Sequence, residues 1–340
     1  MYSKQATAMQ RVVHSSMSNQ NLHLIVLPTE GCNFRCTYCY EEFRLSRMKR
    51  EVREGLARFI QKRASNLKRL NLSWFGGEPL LAYDIILDLL HTVKRVRAEK
   101  PDLEFVSEMT TNGYNLTVER FQELLGLGVT RYQISLDGPQ AEHDKRRVKA
   151  NGEGTFEQIW NNLLSFREIE GDFEVVLRLH VDRDNLFQIP SVIREIAESF
   201  GGDSRFKLFI RPISKLGGQN DEKLPILEGE DIDAAMNSMK KLAKELKVSL
   251  FGESDEGPSV CYATRANSFV VRSDGRLNKC TVALEKEENQ VGRILPDGTL
   301  KIERDLMVRW MRGLFSEDTE ELECPLVGIE KALRLEKAAS

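Results

Sequence analysis

Apolar and polar positions follow two rhythms along the first two thirds of the chain. Short runs with period two, "LHLIVLP" (22–28), "LNLSWF" (70–75), "LEFVSEMTT" (103–111), "RYQISLD" (131–137), "FEVVLRLHV" (173–181) and "FKLFIRP" (206–212), predict strands. Segments with helical period separate them, "REGLARFIQKRASNL" (53–67) and "ILDLLHTVKRVRAE" (86–99) being the clearest. Six such units, ending near Pro212, imply an α/β fold whose parallel sheet curls into a partial (β/α)6, TIM-like barrel. A doubly wound open sheet is the alternative. In either architecture ligands bind beyond the carboxyl ends of the strands. Every chemically unusual residue of this half follows a strand: three cysteines after the first, "GGEP" after the second, "TNG" after the third and "SLDG" after the fourth. One shared mouth is the expectation.

Past Pro212 the pattern changes. The Gly- and charge-rich stretch "SKLGGQNDEKLPILEGE" (214–230) reads as a linker, and "DIDAAMNSMKKLAKELK" (231–247) as one amphipathic helix. From about Gly252 short strands and turns take over, with a hairpin signal at Asp274-Gly275. Three segments follow: a polar start (1–21), a barrel (22–225), and a linker helix with a small α+β extension (226–340).

Composition narrows the class. Apolar residues at 41%, charged residues at 30% and a net charge of −3 describe a globular chain with no bulk positive charge for nucleic acid. No apolar run approaches the roughly 18 residues of a membrane span, and the start lacks the apolar core of a secretory signal. Cytoplasm is the expected compartment. Thiols stay reduced there, so clustered cysteines point to metal or catalysis rather than disulfides.

Half of the six cysteines, Cys32, Cys36 and Cys39, sit in "EGCNFRCTYCYEEF" with the spacing C-x3-C-x2-C. Three thiolates so spaced can hold three irons of a cubane and leave the fourth iron open. Structural zinc wants four closed ligands, commonly as paired C-x2-C units, and no matching pair occurs elsewhere. Spacing alone leaves the cluster, zinc and incidental thiols in competition, with the cluster the better fit.

"CNFRCTYC" resembles the signature of the radical S-adenosylmethionine (SAM) superfamily, whose three cysteines bind a [4Fe-4S] cluster with SAM on the open iron. "GGEPL" (76–80), "TNG" (111–113), "SLDG" (135–138), "HDKRR" (143–147) and the arginine of "VVLRLHVDRDN" follow in the family's order. The resemblance implies reductive cleavage of SAM to a 5′-deoxyadenosyl radical that takes a hydrogen from the substrate. It places Tyr38 beside adenine, Gly76 and Gly77 where backbone approaches the methionine end, and Glu78 as acceptor for its ammonium group. Asn112, Ser135 and Asp137 would serve ribose hydroxyls or the carboxylate. Arg178, a charge within an apolar strand, needs an anionic partner, either the cofactor carboxylate or an internal acid. His143, Asp144 and Arg147 would order a loop beside the substrate or cap the next element. Tyr40, Glu41, Glu42 and Arg211 also belong near the mouth, and none of them identifies itself as the catalytic acid, base or radical residue.

Cys261, Cys280 and Cys324 occupy the extension. "CYATRANSFVVRSDGRLNKC" (261–280), C-x13-G-x4-C, resembles the opening of the SPASM and twitch extensions, which carry auxiliary iron-sulfur clusters. The full cysteine set is absent, so the three thiols would hold one auxiliary [4Fe-4S] cluster, with Glu321, water, a partner or the substrate as fourth ligand. A site that has lost its cluster is the alternative. Thr281 stands where sulfatase-type maturases carry an acid, which disfavours their chemistry. The resemblance points to modification of a ribosomally made precursor peptide: crosslinking, epimerisation, or backbone excision such as the tyramine removal of spliceases. A dehydrogenase of small metabolites is the other reading, and a non-catalytic iron-sulfur or zinc protein a third. The first strand begins near Leu22, leaving no room ahead of the barrel for a leader-binding module, so a separate leader-binding protein is expected, with flavodoxin or ferredoxin as electron donor.

Overall fold

The computed structural model describes residues 2–252 and 259–339. Met1, residues 253–258 and Ser340, which the segment bounds above include, lie outside the described residues. The strands among the described residues are β1 (Asn21–Val26), β2 (Phe34–Cys36), β3 (Arg69–Trp74), β4 (Glu104–Thr111), β5 (Val129–Leu136), β6 (Arg147–Lys149) and β7 (Glu174–Val181), then β8 (Phe206–Pro212), β9 (Ser249–Leu250), β10 (Ser268–Val271), β11 (Arg276–Asn278), β12 (Gln290–Ile294) and β13 (Leu300–Ile302). β1, β3, β4, β5, β7 and β8 lie side by side in that order, all parallel, as a six-unit partial barrel requires.

Alternation along β1 shows why these residues make strands of this sheet. Leu22, Leu24 and Val26 join the large core shared with the crossover helices, while Ile25 on the opposite face joins a separate cluster with Leu27 and Val270. That core takes Leu56, Phe59 and Ile60 from α2 (Arg50–Ala64), after α1 (Tyr2–Met17). It also takes Ile86, Leu89, Leu90 and Val93 from α3 (Tyr83–Glu99). The face with Ile25 carries polar ladders at its lower end: His23 Nε2 lies 2.8 Å from Ser73 Oγ, which donates to Glu108 at 2.8 Å, and Arg131 donates to Glu174 at 2.6 Å.

Residues beyond 225 do more than append a lobe, because they extend the sheet at both edges. β9 pairs parallel with β8 on one side. On the other, β10 runs parallel to β1, with His23 opposite Ser268 and Val26 opposite Val271, and β11, β12 and β13 follow antiparallel. An open barrel sheet has two edges whose N–H and C=O groups need partners, and these strands supply them. The expected hairpin turn is present: Gly275 has φ +88°, and Asp274 Oδ1 accepts from the amide of Arg276 at 3.1 Å. Among the described residues no helix is long and apolar enough to cross a membrane.

Candidate active site

The loop after β1 is fixed from two sides. β2, which contains Cys36, pairs antiparallel with β6, putting Cys36 opposite Arg147. The amide of Cys39 donates to the carbonyl of Cys36 at 3.1 Å, turning the chain so that both thiols face one way, and the amide of Phe34 donates to Cys32 Sγ at 3.3 Å. Cys32, Cys36 and Cys39 all line one cavity of about 410 Å³ at the carboxyl end of the barrel strands, and none is in a disulfide. Burial pushes the Cys32 and Cys39 thiols up to about 12 and raises Cys36 as well, where Arg147 opposes the rise. Among the described residues no three His, Cys, Asp or Glu side chains converge on a single ion.

The glycine pair has a more immediate reason than access for a ligand. A Cβ on Gly76, whose φ is +115°, would lie 2.3 Å from the Thr29 carbonyl oxygen, and one on Gly77 would lie 2.6 Å from that of Gly31. Both glycines line the cavity, yet what they admit first is the backbone of the cysteine loop, clamped by the bond from the Glu78 amide to the Gly31 carbonyl at 3.0 Å. Gly77→Ala is therefore expected to displace the cysteine loop, so that the variant retains less iron than wild type after anaerobic reconstitution and desalting.

Glu78 is fully buried and lies behind the cavity wall. Its carboxylate accepts from the amide of Leu80 at 3.0 Å, the hydroxyl of Thr111 at 2.7 Å and the amide of Asn112 at 2.7 Å. A carboxylate offers about four acceptor positions, so one is left for an ammonium group. Burial raises its pKa, and these donors oppose the rise. Asn112 and Ser135 line the cavity, with Asn112 Nδ2 donating to Asn33 Oδ1 at 2.8 Å beside Cys32.

Arg178 lines the cavity as well, and its Nε has no hydrogen-bond partner. Of the two partners expected for it, no internal acid is present among the described residues. Burial lowers its pKa and Arg211 adds to the fall, while the guanidinium carbon lies 6.0 Å from the centroid of the Phe209 ring. A half-buried guanidinium without an acid is what a cavity built for an anionic group provides.

Asp137 does not reach the cavity. It is fully buried behind His180, with Oδ1 3.1 Å from His180 Nδ1 and Oδ2 unpaired. Desolvation works against its charge, yet His180, Arg147 and His143 hold its pKa well below the usual carboxylate range. Tyr38, on the cavity wall, accepts from Arg147 at 2.7 Å and lies 3.1 Å from His180 Nδ1. The "HDKRR" residues divide their work. Asp144 accepts from the amides of Thr155 and Phe156, at 2.7 and 2.9 Å, where the helix Phe156–Phe166 starts, so it is a cap. His143 accepts from the amide of Asp137 at 3.4 Å, and Arg147 faces the cavity. Tyr40, Glu41 and Arg211 also line it; Glu42 instead pairs with Arg44. Burial and the nearby Glu30 push the Glu41 carboxyl up to about 8.

The extension closes one side. Thr281 and Val282 line the cavity, and Thr281 Oγ1 lies 2.8 Å from Tyr262 Oη. A buried ion pair with no local sequence signal joins extension to cysteine loop: Arg272 donates to Glu30 through Nε at 3.2 Å and Nη2 at 2.5 Å, and Ser273 adds its amide at 3.2 Å. Arg272→Ala would leave Glu30 charged and unpaired, so it is expected to lower unfolding stability by about 3–5 kcal/mol in denaturant titration, with partial recovery in Glu30→Gln/Arg272→Met. Cys261 and Cys280 sit within electrostatic reach of each other and of Cys324. Glu321, considered as a fourth ligand, is held by Arg312 Nε at 2.9 and 3.1 Å.

The sequence profile of the radical SAM superfamily matches residues 26–185. Residues 26–185 are thus similar to a radical SAM domain. The match runs from the last residue of β1 to just past β7, and so contains the cysteine loop, the glycine pair, Glu78, Asn112, Ser135 and Arg178. Among curated relatives, the AdoMet-dependent heme synthase of Methanosarcina barkeri is 26% identical over 223 residues, 65% of this chain and 58% of that enzyme. The cysteine-type anaerobic sulfatase-maturating enzyme of Clostridium novyi is 23% identical over 285 residues, 77% of this chain and 74% of the enzyme. The chain thus spans little more than half the length of the heme synthase. Among solved structures, anSMEcpe with bound AdoMet and Cp18Cys peptide superposes with a TM-score of 0.66 at 19% identity, covering 89% of this chain and 82% of that one. Streptococcus suis SuiB bound to precursor peptide SuiA gives 0.57 at 15% identity, covering 96% and 74%. These likenesses establish the radical SAM partial-barrel fold. The superfamily's [4Fe-4S] cluster and SAM fit the residues present: three unbridged thiols and an arginine without an acid, all on one cavity.

Proposed function

We propose that the protein is a radical SAM enzyme that modifies a ribosomally made peptide. The observation carrying this reading is the convergence of Cys32, Cys36, Cys39 and the unpaired Arg178 on a single cavity of about 410 Å³. A [4Fe-4S] cluster with SAM, bound there, supplies hydrogen-atom abstraction after reductive cleavage of the cofactor. The chain's own residues position it: the thiols hold iron, Arg178 meets the carboxylate, the free acceptor site on Glu78 meets the ammonium, and Asn112 and Ser135 serve the ribose. Tyr38 stands beside the adenine, with Arg147 fixing its hydroxyl.

A peptide substrate is supported by two structural neighbours, one holding Cp18Cys peptide and the other precursor peptide SuiA. Thr281 supplies no acid next to Cys280, which favours crosslinking, epimerisation or backbone excision over sulfatase-type oxidation. Dehydrogenation of a small metabolite is the competing reading. In this proposal residues 22–225 form the catalytic barrel and 226–340 the extension, the enzyme works in the cytoplasm, a separate protein presents the leader, and flavodoxin or ferredoxin supplies electrons. Anaerobic reconstitution with the peptide encoded beside the gene, followed by mass spectrometry, tests the assignment: a mass change in the peptide supports it, and conversion of a small metabolite with the peptide untouched replaces it.

Cys261, Cys280 and Cys324 are proposed to hold one auxiliary [4Fe-4S] cluster. With Glu321 engaged by Arg312, the fourth position falls to water, a partner or the substrate. The triple variant Cys261→Ala/Cys280→Ala/Cys324→Ala is expected to bind about half the iron of wild type. Equal iron in both removes the second cluster.

A further inference from the structure

Strand alternation places His180 on the same face of β7 as Arg178, two residues further toward the carboxyl end, and both side chains line the cavity. His180 is 8% exposed. Its Nδ1 lies 3.1 Å from Asp137 Oδ1 and 3.1 Å from Tyr38 Oη, while Nε2 has no hydrogen-bond partner among the described residues. Asp137 is held ionised and so can only accept, which makes its contact with Nδ1 a hydrogen bond only when Nδ1 carries the proton. The Nδ1 proton therefore goes to Asp137, and the lone pair resides on Nε2.

The pair is held rigidly. Asn185 Nδ2 donates to the Asp137 carbonyl at 2.9 Å and to the His180 carbonyl at 2.8 Å, locking the ends of β5 and β7 together. The amide of Asp137 is bound in turn by His143. Glu41, another titratable group on the cavity wall, has no hydrogen bond on its carboxyl among the described residues to orient it.

We propose that His180 is the catalytic base of the cavity, with Asp137 as the positioning residue that keeps its Nε2 unprotonated. The proposal rests on the cavity being where the substrate reacts. In the step, a substrate N–H or O–H gives its proton to Nε2, the substrate atom keeps the electron pair of the broken bond, and Asp137 stabilises the imidazolium. Burial is the first thing that opposes this positive charge, and Arg178 on the same strand and Arg147 on β6 add to it, while Asp137 works against all three.

Two measurements test this. In cluster-loaded, oxidised, ¹⁵N-histidine-labelled protein, long-range ¹H–¹⁵N correlation is expected to show His180 with its proton on Nδ1, and Asp137→Asn is expected to lose that preference. A wild-type proton on Nε2 overturns the proposal. In turnover with the peptide encoded beside the gene, His180→Gln is expected to lower modified peptide per 5′-deoxyadenosine roughly 10²-fold, the scale of one general base. Equal falls in peptide product and 5′-deoxyadenosine would mean that His180 serves the cofactor, and would also overturn it. Absence of 5′-deoxyadenosine from the wild type would instead sink the reading of the cavity, and the position of the imidazole proton would then decide the assignment of His180 by itself.

Discussion

Cys36→Ala is expected to abolish 5′-deoxyadenosine formation from SAM under reducing conditions and to remove the iron held at the barrel mouth. Cys36 sits in β2, fixed in register against Arg147, so no neighbouring thiol can shift to replace it. The remaining two, Cys32 and Cys39, are held as protonated thiols by burial, with pKa values of about 12. Iron must displace those protons to bind, and two anchors recover less metal affinity against that cost than three. Loss of a hydrogen-bond partner of a metal ligand already costs 10–100-fold. Loss of a ligand is therefore expected to exceed roughly 10²-fold in cofactor cleavage. Iron analysis and chromatography of the nucleoside product check it, and cleavage retained in Cys36→Ala would contradict the assignment of ligands.

Arg178→Met is expected to weaken SAM binding by roughly 10- to 100-fold, the range for losing a hydrogen bond to a charged group. Stability should move the other way or not at all. Arg178 has no acid beside it, an unpaired Nε, and Arg211 as a repelling neighbour, so the cofactor-free fold gives up little when the charge is removed. Binding isotherms with SAM on the cluster-loaded protein and thermal melts without it separate the effects. Lower affinity with an unchanged or higher melting temperature supports a carboxylate partner. A lower melting temperature with unchanged affinity would make Arg178 structural.

Much of this site was legible because strand period and motif position are local properties. Cys32, Cys36, Cys39, Asn112, Ser135 and Arg178 follow or occupy predicted strands, and the parallel order of those strands brings them to one cavity. Residues acting across distant segments were not legible. The Glu30–Arg272 pair joins positions 242 residues apart, and nothing local to "TEGC" or "VVRSDG" announces it. β10 beside β1 escaped for the same reason, since a strand that closes a sheet edge looks like any other. Asp137 falls in the expected region, but burial behind His180 gives it a supporting role that composition does not encode. His180 could have been found, because the period-two argument that selects Arg178 selects His180 equally.

The most direct test measures 5′-deoxyadenosine from SAM and dithionite in anaerobically reconstituted protein whose only cluster-forming thiols are Cys32, Cys36 and Cys39, the other three being alanine. The expected result is the nucleoside together with about four irons per chain, and none from the converse variant lacking those three thiols. Iron bound at that stoichiometry with no cleavage of SAM would contradict the account.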